Sequence, residues 1–356
     1  MNDLELQLHY PLGDALPEQG RCIEVAPGVK WVRMALPFAL NHINLWLIRD
    51  AMDTPQGRLE GWCIVDCCIH ADTSMAQWEA VFASELEDLP VLRVVVTHMH
   101  PDHIGLADWL CTRWSAPLYI SATDYQVARW GCLGPTAFGG EPAANFFALH
   151  GLNAPEMVAQ VKARINYFPS LVPAVPTQYR RLLDGTELQL GEHRWRCISG
   201  YGHAPEHMAL YCESLGILIG GDMMLPRIST NVSVYEQEPL SNALALFLDS
   251  IDKFKPLATD TLVLPSHGNP FTGLHTRIEQ LHAHHRDRLA EVLVACQTAP
   301  CSAADVLPVL FKRPLDLHQT TFAMGEAIAH LHKLWFDGVL TRNEGADGVV
   351  RFAAEP

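Results

Sequence analysis

The run Val94-Val95-Val96-Thr97-His98-Met99-His100-Pro101-Asp102-His103-Ile104-Gly105 decides how this chain folds. Its valines are β-branched and contiguous, the pattern of a strand buried on both faces, while Pro101 and Gly105 supply turn and helix-start chemistry just beyond. Three histidines and an aspartate fall between His98 and His103. They are therefore expected on a loop at the carboxyl end of a strand, where α/β layers commonly hold their chemistry. Neutral imidazoles and a carboxylate converging on a rigid loop suit a borderline divalent cation such as zinc.

The flanking sequence repeats the device. Gly202-His203, Gly221-Asp222 and Ser266-His267-Gly268 each follow an apolar, strand-like run. Upstream, Trp31–Met34, Asn44–Ile48 and Gly61–Asp66 read as strands in tandem, with Asp50 to Gly61 as a polar turn between hairpin partners. Met75, Trp78, Val81, Phe82 and Leu86 recur at helical spacing before the Val94 strand, and a helix from Ile104 to Trp114 follows it. Strand–helix alternation of this kind predicts α/β layering rather than an all-β fold. From about 121 to 180 the rhythm breaks into helical pieces punctuated by Gly and Pro and rich in aromatics, Phe138, Phe147, Tyr167 and Phe168 among them. This insertion reads either as a small core of its own or as a lid that shapes an apolar pocket. A helix is expected over Leu240–Phe254. Past Asn269 come a long amphipathic helix over His275–Ala295, a second with Ser302 as N-cap and a third over Ala323–Leu334. A two-stranded ribbon around Leu340 and Val350 ends the chain, so the tail has a winged-helix-like order. The expected division is a catalytic domain over 1–272 and a small C-terminal domain over 273–356.

Length and composition leave room for both. The chain has 356 residues, 49% of them hydrophobic, and a formal net charge of -15. That charge argues against nucleic acid as a partner, which would normally require a basic face. The ten cysteines include no C-x-x-C pair, and Met1-Asn2-Asp3-Leu4-Glu5 lacks the basic-then-apolar layout of a signal peptide. No apolar stretch reaches membrane-spanning length, so no membrane partner is expected. A cytoplasmic protein with reduced thiols is the expectation, with Cys67 and Cys68 as buried structural residues.

The four motifs, in this order, resemble the metallo-β-lactamase superfamily, whose signature H-x-H-x-D-H matches His98-Met99-His100-Pro101-Asp102-His103. The resemblance implies an αββα sandwich (α/β, of the α+β kind) and two divalent metal ions, zinc first, with iron or manganese as alternatives. One ion would take His98, His100 and His203; the other would take Asp102, His103 and His267, with Asp222 bridging. Two cations so placed can hold a water between them, lower its pKa and polarise a carbonyl or phosphoryl oxygen, with Asp102 as the catalytic residue that orients the attacking oxygen. Asp66 matches the family carboxylate that steadies a ligand imidazole, and His207 reads as structural support. Glu206 departs from the Gly usual at its position. His282, His284 and His285 read as surface or domain-interface residues, and Tyr201 and Tyr235 as candidates to reach the pocket.

Fold does not choose among lactams, thioesters, lactones and phosphodiesters. The tail, including His330 to Gly338, resembles the lactamase-β-2-like branch, which holds endoribonuclease-like and small-ester hydrolases, and departs from the helical tail of glyoxalase II. From 275 to 356 there are eight Lys/Arg against ten Asp/Glu, a net of -2, where a tail gripping phosphates should be positive. The expected activity is therefore hydrolysis of a small thioester or ester. A metal-dependent endoribonuclease is the alternative, a non-catalytic regulatory protein the third reading, and the tail is expected as a pocket wall or a homodimer contact.

Overall fold

The computed structural model describes residues 3–136 and 138–354, so Met1 and Asn2 of the N-terminal segment and the last two residues of the tail lie outside the described residues. Four antiparallel strands, β1 (Cys22–Ala26), β2 (Val29–Ala35), β3 (His42–Thr54) and β4 (Gly57–Val65), open the first sheet. Three parallel strands complete it in the order of the chain: β5 (Val91–Val95), β6 (Leu118–Ser121) and β7 (Arg180–Leu182). The connections to these last strands are helical, as parallel pairing requires a crossover. They comprise α1 (Asp72–Glu85), then α2 (Pro101–Ile104) and α3 (Ala107–Trp114), then the insertion helices α4 (Ala122–Leu133), α5 (Gly140–Leu149), α6 (Pro155–Ala163) and α7 (Tyr167–Leu171).

The second sheet holds β8 (Glu187–Leu190), β9 (His193–Gly200), β10 (His207–Cys212), β11 (Ile217–Gly221) and, after α8 (Ala243–Asp252), β12 (Leu262–Pro265). Their spatial order is β12-β11-β10-β9-β8. The tail adds α9 (Leu274–Thr298), α10 (Ala303–Leu310), α11 (Leu317–Phe336) and the ribbon β13 (Leu340–Glu344) with β14 (Val350–Ala354).

Side-chain alternation shows why the sheets stack. On β5, Val94 packs under the helices with Trp78 and Leu110, whereas Val95 points between the sheets to join Trp46, Trp195, Leu210 and Ile219. Burial on both faces is what the uninterrupted valine run encodes. A third apolar cluster runs without a break from the outer face of the second sheet through Phe247 and Ile251 of α8 to Ile278, Leu331 and Phe352 of the tail. The layers are thus helix, sheet, sheet, helix, with the tail packed on the far helical layer.

Three local expectations change. Asp50 to Gly61 is not a turn: the β3–β4 ladder pairs Asp50 with Gly61 and continues to Thr54 opposite Gly57. From Ala51 to Glu60 its residues are exposed or half-buried, so their polarity reflects solvent on the ladder rather than chain reversal. The Ile104–Trp114 helix is two pieces. A Cβ on Gly105 would lie 2.6 Å from the Ile69 Cα, and Leu106 donates its amide to the Cys68 carbonyl at 3.0 Å, breaking the helical ladder between α2 and α3. The last tail helix begins earlier than Ala323, at Leu317, where Asp316 and Gln319 form a capping box.

Candidate metal centre

The candidate donors leave the carboxyl ends of four strands at one edge of the sandwich. His98, His100, Asp102 and His103 follow β5; His203 follows β9; Asp222 follows β11; His267 follows β12. The structure brings all seven together. His98 Nε2, His100 Nδ1 and His203 Nε2 form a triangle with sides of 2.9, 3.1 and 3.2 Å. Donors of a tetrahedral zinc ion with bonds of about 2.0–2.1 Å stand about 3.3 Å apart, so the triangle fits such an ion. Beside it, Asp102 Oδ2 lies 3.5 Å from His267 Nε2 and 3.8 Å from His103 Nε2. Asp222 faces both groups: Oδ2 is 3.3 Å from His203, and Oδ1 is 3.5 Å from His103 and 3.4 Å from His267.

The other ring nitrogens show how each imidazole is aimed. Nδ1 of His203 donates to the Asn231 carbonyl and Nδ1 of His267 to the His42 carbonyl, each at 2.7 Å. Nδ1 of His103 donates to Asp66 Oδ2 at 2.8 Å, and Nδ1 of His98 meets the Thr97 hydroxyl at 3.0 Å. A proton fixed on Nδ1 leaves the Nε2 lone pair free to face a cation. His103 Nε2 and Asp222 Oδ1 are buried with no hydrogen-bond partner, an arrangement that costs free energy unless a cation sits against them.

Electrostatics point the same way. Burial and the neighbouring imidazoles hold His98 and His100 well below the usual histidine range, so both are neutral and able to ligate. Burial also works to lower His103, but Asp66, Asp102 and Asp222 outweigh it and lift the ring to about 10. Burial would raise Asp222, yet His267 and His103 hold it well below the ordinary carboxylate range. Negative charge concentrated enough to do this is the field a divalent cation would satisfy.

Asp66 lies against the His103 ring. Its φ is 63°, and it accepts from the Thr97 amide at 2.8 Å and the Thr97 hydroxyl at 2.9 Å besides His103. His207 begins β10 rather than continuing a helix from His203, and its Nε2 accepts the Asp222 amide at 3.3 Å. It thereby steadies the Asp222 backbone. Glu206 is accommodated because its side chain turns outward to accept from Thr123 at 2.9 Å. Cys67 and Cys68 are buried, and burial pushes the Cys68 thiol up to about 12. Tyr235 lines the pocket, whereas Tyr201 turns toward α8, where its amide donates to Ser250 and the Lys253 ammonium lies over its ring. His282 pairs with Asp252, and His285 packs between Phe247 and His330, both at the α8–α9–α11 interface and apart from the cluster.

Sequence reading missed Asp124. Buried on α4, it accepts the Met99 amide at 2.8 Å through one oxygen and the Glu206 amide at 2.6 Å through the other. One carboxylate thereby ties the His98–His103 loop to the His203–His207 loop. The Ser121-x-x-Asp124 spacing signals a helix start, and Ser121 does cap α4, but nothing in that spacing reveals the reach across two loops. Asn44 was missed as well; it is fully buried on β3 and donates to Pro265 and Gly268, pinning the turn that carries His267.

The cluster opens into a cavity of about 500 Å³, with His100, Asp102, His203, Asp222 and His267 in its wall. The insertion contributes Phe138, Phe147, Tyr167 and Phe168, and the tail contributes Phe311 and Phe322. Among the described residues no helix is long and apolar enough to cross a membrane.

This chain belongs to the metallo-beta-lactamase superfamily, whose sequence profile matches residues 42–267. The profile of the metallo-beta-lactamase-like C-terminal domain matches residues 289–355. Among solved structures, a beta-lactamase domain protein from Burkholderia ambifaria is 51% identical with a TM-score of 0.93, over 99% of this chain and 100% of that one. A metallo-beta-lactamase family protein from Thermus thermophilus is 27% identical with a TM-score of 0.75, over 93% of this chain and 100% of that one. A Bacillus subtilis (strain 168) relative, described as probable metallo-hydrolase YqjP, is 24% identical over 87% of this chain and 93% of its own length.

Proposed function

We propose that this protein is a metallo-hydrolase that carries two divalent cations, zinc first, with iron or manganese as alternatives, and that it cleaves a small thioester or carboxylic ester. The observation that carries the reading is the seven-donor cluster set in the wall of a largely apolar cavity closed by both the insertion and the tail. His98, His100 and His203 would hold one cation and Asp102, His103 and His267 the other, with Asp222 facing both. When bound, such a pair supplies an activated water and a Lewis acid for the substrate carbonyl. The chain's own residues do the rest. Asp102, partly open to the cavity, accepts a hydrogen bond from the attacking water and orients it. Phe138, Phe147 and Phe168 exclude bulk water and offer apolar surface to an acyl group. The acidic tail forms cavity wall instead of a phosphate-gripping face, which favours a small molecule over RNA. Ten free thiols support work in the reducing cytoplasm.

Metal-loaded protein should hydrolyse short and medium acyl thioesters, lose that activity on chelation and regain it with zinc. Inactivity across acyl chain lengths, alongside cleavage of single-stranded RNA that disappears in Asp102→Ala, would replace the esterase reading with the nuclease one.

A further inference from the structure

Arg164, the residue that ends α6, brings a positive charge to the cavity wall with no counter-charge of its own. One Nη donates to the Thr321 hydroxyl at 2.9 Å and the other to His318 Nδ1 at 2.8 Å, both on α11. Its guanidinium carbon lies 3.9 Å from the centroid of the Tyr167 ring. All three partners are neutral. Arginine has no acceptor, so His318 Nδ1 must accept, which places the imidazole proton on Nε2 and leaves the ring uncharged. Among the described residues no carboxylate pairs with Arg164. The carboxylates on the cavity wall outside the metal cluster are engaged elsewhere: Glu236 accepts from Gln237 and Glu326 accepts from Asn231. Burial pushes the Tyr167 phenol up, with Arg164 opposing and the Asp102 charge adding to the rise, so both charges act on this ring. Arg313, exposed on the tail side of the same cavity, donates to Gln319 and likewise has no carboxylate partner among the described residues.

A guanidinium braced by a hydroxyl, an imidazole and an aromatic face is held rigid, and its five N–H donors outnumber those three partners. That geometry suits recognition of a carboxylate or phosphate. We propose that Arg164 binds an oxyanion carried by the substrate and so selects an anionic thioester or ester from neutral ones; the inference rests on the hydrolase reading above. Because the anchor is assembled from insertion and tail together, it also gives those two segments a common purpose at the site. The oxyanion has two chemical sources, a terminal carboxylate on the acyl chain or a phosphate on the thiol carrier.

The test compares metal-loaded wild type, Arg164→Gln and Arg164→Lys on three substrates: glutaryl and butyryl thioesters of the neutral thiol N-acetylcysteamine, and butyryl-coenzyme A. Wild type should favour one anionic substrate over neutral butyryl-N-acetylcysteamine by at least roughly tenfold in kcat/KM. Preference for the glutaryl thioester places the anion on the acyl chain; preference for butyryl-coenzyme A places it on the carrier. In Arg164→Gln the anionic-to-neutral ratio should fall roughly 10- to 100-fold, chiefly through KM, with partial recovery in Arg164→Lys. Equal losses on charged and neutral substrates would show a bracket between insertion and tail and overturn the proposal, as would a wild type without preference. Calorimetric titration with glutarate and with coenzyme A supplies a readout independent of turnover. Arg164-dependent binding of either ligand upholds the anchor even if no thioester is cleaved, a result that would sink the hydrolase reading alone. Binding that is equal in wild type and Arg164→Gln, or absent from both, overturns the anchor.

Discussion

Asp124→Ala tests whether one buried carboxylate holds the two metal-binding loops in register. The substitution removes the acceptor for the Met99 amide, between His98 and His100, and for the Glu206 amide, next to His207. Met99 is buried, so its orphaned N–H bears the full cost of about 1–3 kcal/mol. Glu206 is only half-buried, and its amide can regain water, so about 1 kcal/mol is the fairer figure there. Against these losses stands relief from an awkward charge: burial pushes Asp124 up to about 6 even though the Met99 and Glu206 amides pull it down. The balance is a destabilisation of about 2–3 kcal/mol, or roughly 3–4 °C in Tm for a chain of this size. Thermal melts of zinc-loaded protein read the stability, and the rate of zinc extraction by a chelator reads the loops. Extraction should quicken at least tenfold in Asp124→Ala, and Asp124→Asn, which keeps one acceptor oxygen, should fall between. Ser121→Ala is the control, since Ser121 contacts Asp124 and caps α4 but reaches neither loop. If Asp124→Ala melted and released zinc like wild type, or if Ser121→Ala quickened release equally, the two-loop clamp would be refuted.

On the proposed two-cation reading, Asp222→Ala should lower bound zinc from two equivalents toward one or none, because its two oxygens face both donor groups; elemental analysis after dialysis reads this, and a zinc content unchanged from wild type would remove the bridging assignment. Glu326 is pushed up to about 7 by burial, the Asn231 hydrogen bond opposing. Its folded pKa lies above the unfolded one, so the contribution is present below the unfolded value and is lost as pH rises through about 7. Glu326→Gln cannot titrate, so its stability relative to wild type should improve from pH 5.5 to 8 in denaturant melts, and a trend of opposite sign would count against the burial argument. Ser302→Ala breaks the capping box with Asp305 at the start of α10 and should cost about 1 kcal/mol in a denaturant melt without altering zinc content; no loss would mean the cap is redundant.

What the sequence made legible, and what it hid, follows from how local each signal is. His98, His103, His203, Asp222 and His267 can be read because each sits directly after a strand-like apolar run, so motif and structural context lie within a few residues of one another. The Ser302 cap and the terminal ribbon are local in the same way. The far half of the β3–β4 hairpin was hidden because a ladder exposed to solvent loses the apolar alternation that marks a strand. Asp124 was hidden for a different reason. Its partners Met99 and Glu206 lie 25 and 82 residues away in the chain, and their separate roles meet only when β6 places α4 between two loops. Arg164 is the extreme case. In sequence it is one basic residue in a helical insertion of uncertain purpose, and it becomes a braced, unpaired cation only when α7 supplies Tyr167 and α11 supplies His318 and Thr321. The candidate metal ligands are written in short motifs, whereas the selectivity we propose draws on segments distant in the chain. For that reason the substrate of this protein must be sought where insertion and tail meet.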